Sequence, residues 1–124
     1  MLFLIYINNL PVNINSQLVL YADDTTAILK AKSPSELQLL VQQSILELSA
    51  WFSASSLKLN SEKTQIVHFK TVQSKDKFEL KGKTIEISES AKFLGVQVDC
   101  NLKWTSHLQL IEKKLSSACF QMRV

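Results

Sequence analysis

Short apolar segments separated by polar turns alternate with longer stretches of helical periodicity along the chain. Residues 18–21 and 25–29 are rich in β-branched and aromatic residues, so we expect them to pair as a hairpin with Asp23 and Asp24 at its tip. Residues 2–9 predict the last turns of a helix. Pro11 would end that helix, because proline disfavours the helical conformation in the residue before it.

Two longer segments repeat their apolar residues at helical spacing. Ser33-Pro34-Ser35-Glu36 is a capping box with proline at the first helical position, and it predicts the start of the first helix. The second helix runs from about residue 104 to residue 122, and its apolar face needs a partner surface. The stripes are Leu37, Leu40, Val41, Ile45, Leu48, Trp51 and Phe52 in the first helix, and Leu108, Ile111, Leu115, Ala118 and Met122 in the second.

Further strands are predicted between these helices. Residues 64–69 alternate between apolar and polar positions, and residues 78–80 and 84–87 flank Gly82 and Lys83, which form a plausible hairpin turn. Residues 91–98 predict one strand with Gly95 inside it, where a glycine marks a bulge or a close backbone approach. The result is a mixed α and β plan without repeats.

The composition fits one modest domain. The chain has 124 residues, of which 46% are hydrophobic, and its net charge of +3 permits nucleic-acid binding without arguing for it. Lysines supply nearly all of the basic charge. Two interpretations of them stay open: contact with a phosphate backbone, or protection of a solvated hairpin edge from aggregation. The lysines are Lys70, Lys75, Lys77, Lys81 and Lys83, with Lys92 and Lys103 beyond them.

Several functional classes find no support. Cys100 and Cys119 lack the spacing of zinc ligands, so we expect reduced thiols in an intracellular protein. His68 and His107 have no second histidine at metal spacing, and we assign neither a catalytic role. The apolar start is too short to span a bilayer and carries no cleavage signal, which argues against secretion and membrane insertion.

Asp23 and Asp24 are the strongest chemical signal. Adjacent carboxylates repel each other, and a fold tolerates them where water, a basic side chain or a divalent cation offsets the charge. The dipeptide alone leaves two interpretations open. One is a polar turn, in which aspartate makes local hydrogen bonds, and the other is metal-dependent phosphoryl transfer.

Four segments, in order, resemble one enzyme family. Leu-Tyr-Ala-Asp-Asp at residues 20–24 resembles the catalytic hairpin of reverse transcriptases, and Tyr-Ala-Asp-Asp is the form typical of non-LTR retrotransposon enzymes. Leu-Phe-Leu-Ile-Tyr-Ile-Asn-Asn-Leu-Pro at 2–11 resembles the helix before that hairpin, and Leu-Lys-Leu-Asn-Ser-Glu-Lys-Thr at 57–64 resembles the next palm motif. Phe-Leu-Gly-Val-Gln-Val-Asp at 93–99, followed by Leu102, Lys103, Trp104 and His107, resembles the primer-grip hairpin and the entry to the thumb.

The resemblance implies an α+β fold, a fragment of a polymerase palm with an antiparallel sheet backed by helices, running into a helical thumb segment. Residues 1–100 would form the partial palm with the Tyr-Ala-Asp-Asp hairpin and a primer-grip-like strand, and residues 101–124 the start of a thumb-like helix. The family's first metal-binding aspartate and its Gln-Gly segment have no counterpart here. We therefore expect the rear half of a polymerase domain, inactive alone.

The resemblance also implies an RNA-directed DNA polymerase that uses two magnesium ions. Asp23 matches the hairpin aspartate that binds metal directly, Asp24 matches its supporting neighbour, and Lys63 matches the lysine proposed to give a proton to pyrophosphate. Both aspartates are thus metal and catalytic candidates. The residues implied to contact the primer strand are Tyr21, Ala22, Phe93, Leu94 and Gly95.

The partners implied are an RNA template, a DNA primer, deoxynucleoside triphosphates, the fingers and first palm segment, and the rest of the thumb. A membrane is not among them. Two other hypotheses stay open. The chain could be a non-catalytic remnant that keeps a basic nucleic-acid-binding surface, or a structural relic that does not fold stably alone because its end helices expose apolar faces.

Overall fold

The computed structural model describes residues 2–14, 16–69, 77–80 and 82–123. These residues form helices and strands, so the predicted α+β class is confirmed. The helices are α1 (Leu2–Ile7), α2 (Leu10–Asn13), α3 (Pro34–Ala54) and α4 (Thr105–Met122). The strands are β1 (Gln17–Tyr21), β2 (Asp24–Ile28), β3 (Ile66–Val67), β4 (Lys77–Leu80), β5 (Lys83–Ser88), β6 (Ser90–Phe93) and β7 (Val96–Asp99).

The chain divides into two compact units, one of residues 1–64 with 76–85 and one of residues 65–75 with 86–124. In the first unit β1 and β2 form an antiparallel pair, and in the second β6 and β7 form another. Strand β5 has β3 and β4 as neighbours, and its pairing with β3 is parallel. The described strands therefore lie in three small sheets.

The first unit contains an apolar cluster and also buries Phe78, Leu80 and Ile85 outside it. Leu10 is fully buried, and Ile7, Ile14 and Phe52 join it, so that α1, α2 and the end of α3 meet there. Burying a side chain of this kind contributes about 1.5–3 kcal/mol. The partly buried side chains that pack against this cluster are Leu18, Leu20, Leu48, Trp51, Leu57 and Leu59. We call the four buried residues Ile7, Leu10, Ile14 and Phe52 the core cluster.

Proline does not end the helical segment at the start of the chain, contrary to the expectation. Helix α1 ends before Asn8 and Asn9, and Pro11 lies in the first turn of the next helix, α2. The amide that proline lacks has no partner inside a helix at that position, so proline costs little there. The second short helix is what places Leu10 in the core cluster.

Both ends of α3 are capped as the sequence chemistry demands. Ser33 Oγ accepts from Glu36 N at 3.2 Å, which confirms the predicted cap, while Glu36 Oε2 accepts from Lys32 N at 3.1 Å. At the other end Ser56 takes a left-handed φ of +55°, and Leu57 N donates to Phe52 O at 2.8 Å. This closing pattern satisfies end carbonyls and directs the chain back onto the core cluster.

In the second unit the predicted strand over 91–98 is wrong, because it is a hairpin of β6 and β7 with Leu94 and Gly95 at its turn. The helix α4 begins at Thr105, and Gln97 N donates to His107 Nδ1 at 3.2 Å, which ties its first turn to β7. No side chain of α4 is buried among the described residues, so its apolar stripe is exposed as expected.

Two smaller expectations change in detail. The strand predicted over 64–69 is limited to Ile66–Val67, and Lys83 begins β5 after Gly82, whose φ is +76°. Cys100 and Cys119 are both free thiols. Over the described ranges, none of the helices has the length and apolarity that crossing a bilayer requires.

Leu10→Ala should lower the free energy of unfolding by about 2–4 kcal/mol, because the cavity would lie where α1, α2 and α3 meet. Urea denaturation followed by far-UV circular dichroism measures this change. Val12→Ala is the matched control, since Val12 lies in the same helix and is 84% exposed, and it should change stability by less than about 0.5 kcal/mol. Equal losses in the two variants would contradict this account of the core.

Candidate active site

The acidic hairpin predicted from the sequence is present. Tyr21 at the end of β1 pairs with Asp24 at the start of β2, which leaves Ala22 and Asp23 as a two-residue turn. Both aspartates are exposed. The hairpin therefore presents one carboxylate at its tip and a second at the first paired position below it.

The two faces of this hairpin have different surroundings. Leu18 and Leu20 pack against the core cluster, so the alternate residues of β1 face away from it. Directly opposed residues of an antiparallel pair share a face, which places Tyr21 and Asp24 together on the open face. Tyr21 is 64% exposed there. One face is thus used for packing, and the other presents the chemically interesting side chains.

The turn holds Ala22 in a backbone conformation that glycine adopts more easily. The φ of Ala22 is +51°, and the φ of Asp23 is not positive. A left-handed first residue is typical of the type II′ hairpin turn, in which glycine is preferred at that place. A non-glycine residue in this conformation costs about 1–2 kcal/mol. The tip is therefore a strained position held by the strands on both sides.

The base of the hairpin is tied to α3 by a pair of serines. Ser16 Oγ and Ser44 Oγ lie 2.7 Å apart, and Ser44 is only 6% exposed. A hydrogen bond satisfies both hydroxyls at a place where an unpaired one would be costly. It lies beside a cavity of about 140 Å³ between α3 and the hairpin base. This contact and the leucine contacts fix the hairpin on α3.

Asp23 and Asp24 make no ion pair with any residue in the described part of the chain. The same residues contain no group of three or more histidine, cysteine, aspartate or glutamate side chains that could hold a metal ion. Magnesium is commonly bound by one or two carboxylates together with substrate phosphates and water. The two aspartates therefore fit as part of a magnesium ligand set and not as a complete cage.

Lys63 lies in the same compact unit, within the segment from α3 to β3. Its side chain is exposed, and it forms no ion pair with the described residues. The turn that carries it is built on Asn60, whose side-chain oxygen accepts from two backbone amides. The candidate lysine thus stands on an ordered turn with its charge uncompensated.

The candidate primer-contacting residues of the second unit lie at the β6–β7 turn. Phe93 pairs with Val96, and the two residues between them, Leu94 and Gly95, have φ values of +48° and +87°. Two left-handed residues define a type I′ turn, and this backbone is what requires glycine at 95. Leu94 is 46% exposed at the tip. The structure brings these residues together with one another, in the unit that does not contain Asp23.

The lysines predicted as a cluster are only partly described. Lys70, Lys75 and Lys81 lie outside the described residues. Lys83 Nζ is 2.8 Å from Glu62 Oε1, so this lysine is engaged within the chain. The side chains of Lys77, Lys92 and Lys103 are exposed.

A protein-family model described as reverse transcriptase (RNA-dependent DNA polymerase) matches residues 1–98. The chain belongs to the reverse transcriptase family. The match extends over the acidic hairpin, the Lys63 turn and most of the β6–β7 hairpin. No match was found among curated proteins or among solved structures.

Reverse transcriptase sequence motifs located the acidic hairpin, and the structure shows three features that they did not reveal. These are the left-handed Ala22, the Ser16–Ser44 contact and the hydrogen-bonded turn on Asn60. Only the last had a usable sequence signal, because asparagine often accepts from the backbone two residues ahead. The individual roles of the site residues stay predictions.

Ala22→Val should lower the free energy of unfolding by about 1–2 kcal/mol relative to Ala22→Gly, because a β-branched residue is the more strained at positive φ. Thermal and urea unfolding of the two variants measure the difference at one position. Ala22→Gly should lie close to the parent, since relief of strain offsets the larger entropy of the unfolded chain. A valine variant as stable as the glycine variant would show that the turn relaxes freely.

Proposed function

We propose that this chain contributes the acidic hairpin and neighbouring palm elements of an RNA-directed DNA polymerase encoded by a non-LTR retrotransposon. The observation that carries this proposal is the exposed Asp23–Asp24 tip in a chain of the reverse transcriptase family. The sequence Tyr-Ala-Asp-Asp supports the non-LTR subtype. In this proposal residues 1–100 serve as palm and residues 101–124 begin the thumb.

The reaction extends a DNA primer on an RNA template by one deoxynucleotide at a time. The primer 3′ hydroxyl gives its proton to solvent water and its oxygen forms a bond to the α-phosphorus, while the bond from that phosphorus to the bridging oxygen breaks. Pyrophosphate leaves with the electron pair, and the Lys63 ammonium gives it a proton. Lys63 is suited to this role because its exposed side chain has no ion-pair partner among the described residues.

Asp23 would be the direct ligand of divalent ions, and Asp24 would support them electrostatically. Magnesium, when bound, supplies stabilisation of the charge that develops on the phosphate oxygens. The tip position of Asp23 supports this assignment, because a carboxylate at an exposed turn reaches phosphate without displacing the core. Polymerases of this family use divalent metals in general.

Tyr21 and Ala22 would line the primer end, and Phe93, Leu94 and Gly95 would hold the primer strand. Exposure of Tyr21 on the open face, beside Asp24, supports the first assignment. An exposed two-residue turn at Leu94 and Gly95 supports the second, since such a tip can approach a backbone closely.

Free thiols at both cysteines support an intracellular location.

Asp23→Asn in a complete polymerase carrying these residues should abolish DNA synthesis, with a loss of kcat of at least about 10²-fold, because the amide is a weak metal ligand. Primer extension on an RNA template measures this loss. Glu79→Gln is the matched control, since it makes the same carboxylate-to-amide change at an exposed position of β4. Near-normal extension by Asp23→Asn would refute the proposal.

The isolated chain of 124 residues should not extend a primer in magnesium, because two carboxylates do not complete a two-ion site. Extension assays on the purified chain test this directly, and synthesis above background would contradict it. The exposed side chains of Lys92 and Lys103 favour a second candidate for the isolated chain, a nucleic-acid-binding remnant. Salt-sensitive binding of a primer–template duplex without extension would support that candidate.

A further inference from the structure

The turn that carries Lys63 is held by hydrogen bonds that converge on Asn60. Its side-chain Oδ1 accepts from Glu62 N at 3.0 Å and from Lys63 N at 3.4 Å. Its backbone oxygen accepts from Lys63 N at 3.2 Å and from Thr64 N at 3.1 Å. Thr64 Oγ1 donates to the same oxygen at 2.8 Å. One residue therefore fixes the backbone on both sides of the lysine.

The chain leading into this turn is fixed as well. The left-handed Ser56 ends α3, and Leu57 N then donates to Phe52 O. Leu57 and Leu59 pack against the core cluster, so the residue immediately before Asn60 is anchored. The turn is thus a short extension of the core, and its orientation is set by buried contacts.

The residue next to Lys63 is an acid whose charge is directed elsewhere. Glu62 Oε1 lies 2.8 Å from Lys83 Nζ, in an ion pair whose side chains are 78% and 57% exposed. Such an exposed pair adds little stability. In the structure the Glu62 carboxylate therefore lies on Lys83 and makes no ion pair with Lys63. Lys63 is left without an ion-pair partner in the described part of the chain.

We propose that Asn60 is a positioning residue for Lys63, because the hydrogen bonds of the Asn60 turn set where the lysine side chain begins. The inference rests on the proposed role of Lys63 as proton donor to pyrophosphate. A general acid works only within hydrogen-bond reach of its acceptor, and small displacements of such a group are costly. Asn60 itself touches neither substrate nor metal.

The test is a double-mutant cycle in the complete polymerase that carries these residues. Lys63→Gln should lower kcat by about 10²-fold, the lower end of general-acid contributions. Asn60→Ala should lower kcat by about tenfold with an unchanged KM for the nucleotide, since only the aim of the lysine is lost. The double variant should be no slower than Lys63→Gln, because a misplaced glutamine has no proton to deliver.

Three further variants sharpen the test. Asn60→Ser keeps an uncharged side-chain oxygen that can accept from the backbone of the turn, and it should restore part of the activity that Asn60→Ala loses. Thr64→Val has the same shape without the hydroxyl that donates to Asn60, and it should lower kcat a few-fold even where Asn60→Ala does not fold. Ser61→Ala is the matched control in the same turn and should leave kcat unchanged.

Each other result overturns the inference. Additive losses in the cycle would mean that Asn60 acts other than through Lys63, and normal kcat in Lys63→Gln would leave nothing to position. An Asn60→Ser variant as slow as Asn60→Ala would exclude the hydrogen-bonded turn as the cause. Asp23→Asn, assayed in parallel, separates these failures from failure of the proposed function, because it stays inactive in all of them.

Discussion

The burial of Leu10 against Phe52 and its neighbours is the interaction on which both candidate catalytic segments depend. Strand β1 reaches Asp23 after placing Leu18 and Leu20 on the core cluster, and the segment after α3 reaches Lys63 after placing Leu57 and Leu59 on it. Phe78, Leu80 and Ile85 are also buried in this unit, but they lie outside that cluster. Two candidate positions far apart in sequence are thus anchored by the same apolar cluster.

Stability and chemistry occupy different faces of the same hairpin. Because side chains alternate along a strand, the residues that bind the hairpin to α3 cannot point where Tyr21 and Asp24 point. The open face is free to carry charge, and the turn tolerates strain at Ala22 because the paired strands over-determine its position. The packing of the two strands thus offsets the backbone strain at Ala22 in the turn.

Local chemistry decided which features the sequence could predict. The acidic hairpin and the capped start of α3 follow from neighbouring residues alone, and both are confirmed. The prediction from Pro11 was wrong because proline is compatible both with the end of one helix and with the first turn of the next. Only the burial of Leu10 distinguishes these two arrangements. Gly95 misled because strand and turn glycines look alike until the register of β6 and β7 is known. The Ser16–Ser44 contact joins residues 28 apart, beyond any local pattern.

The first unit carries charges of both signs that it does not neutralise. Asp23 and Asp24 have no cation beside them among the described residues, and Lys63 has no carboxylate, although Glu62 is its neighbour in sequence. Each of these residues stands on a backbone with hydrogen bonds of its own, and the Glu62 carboxylate lies on Lys83. Ordered, unpaired charges of opposite sign are what a phosphate-transferring site needs, because the ions and phosphates that neutralise them arrive with the substrate.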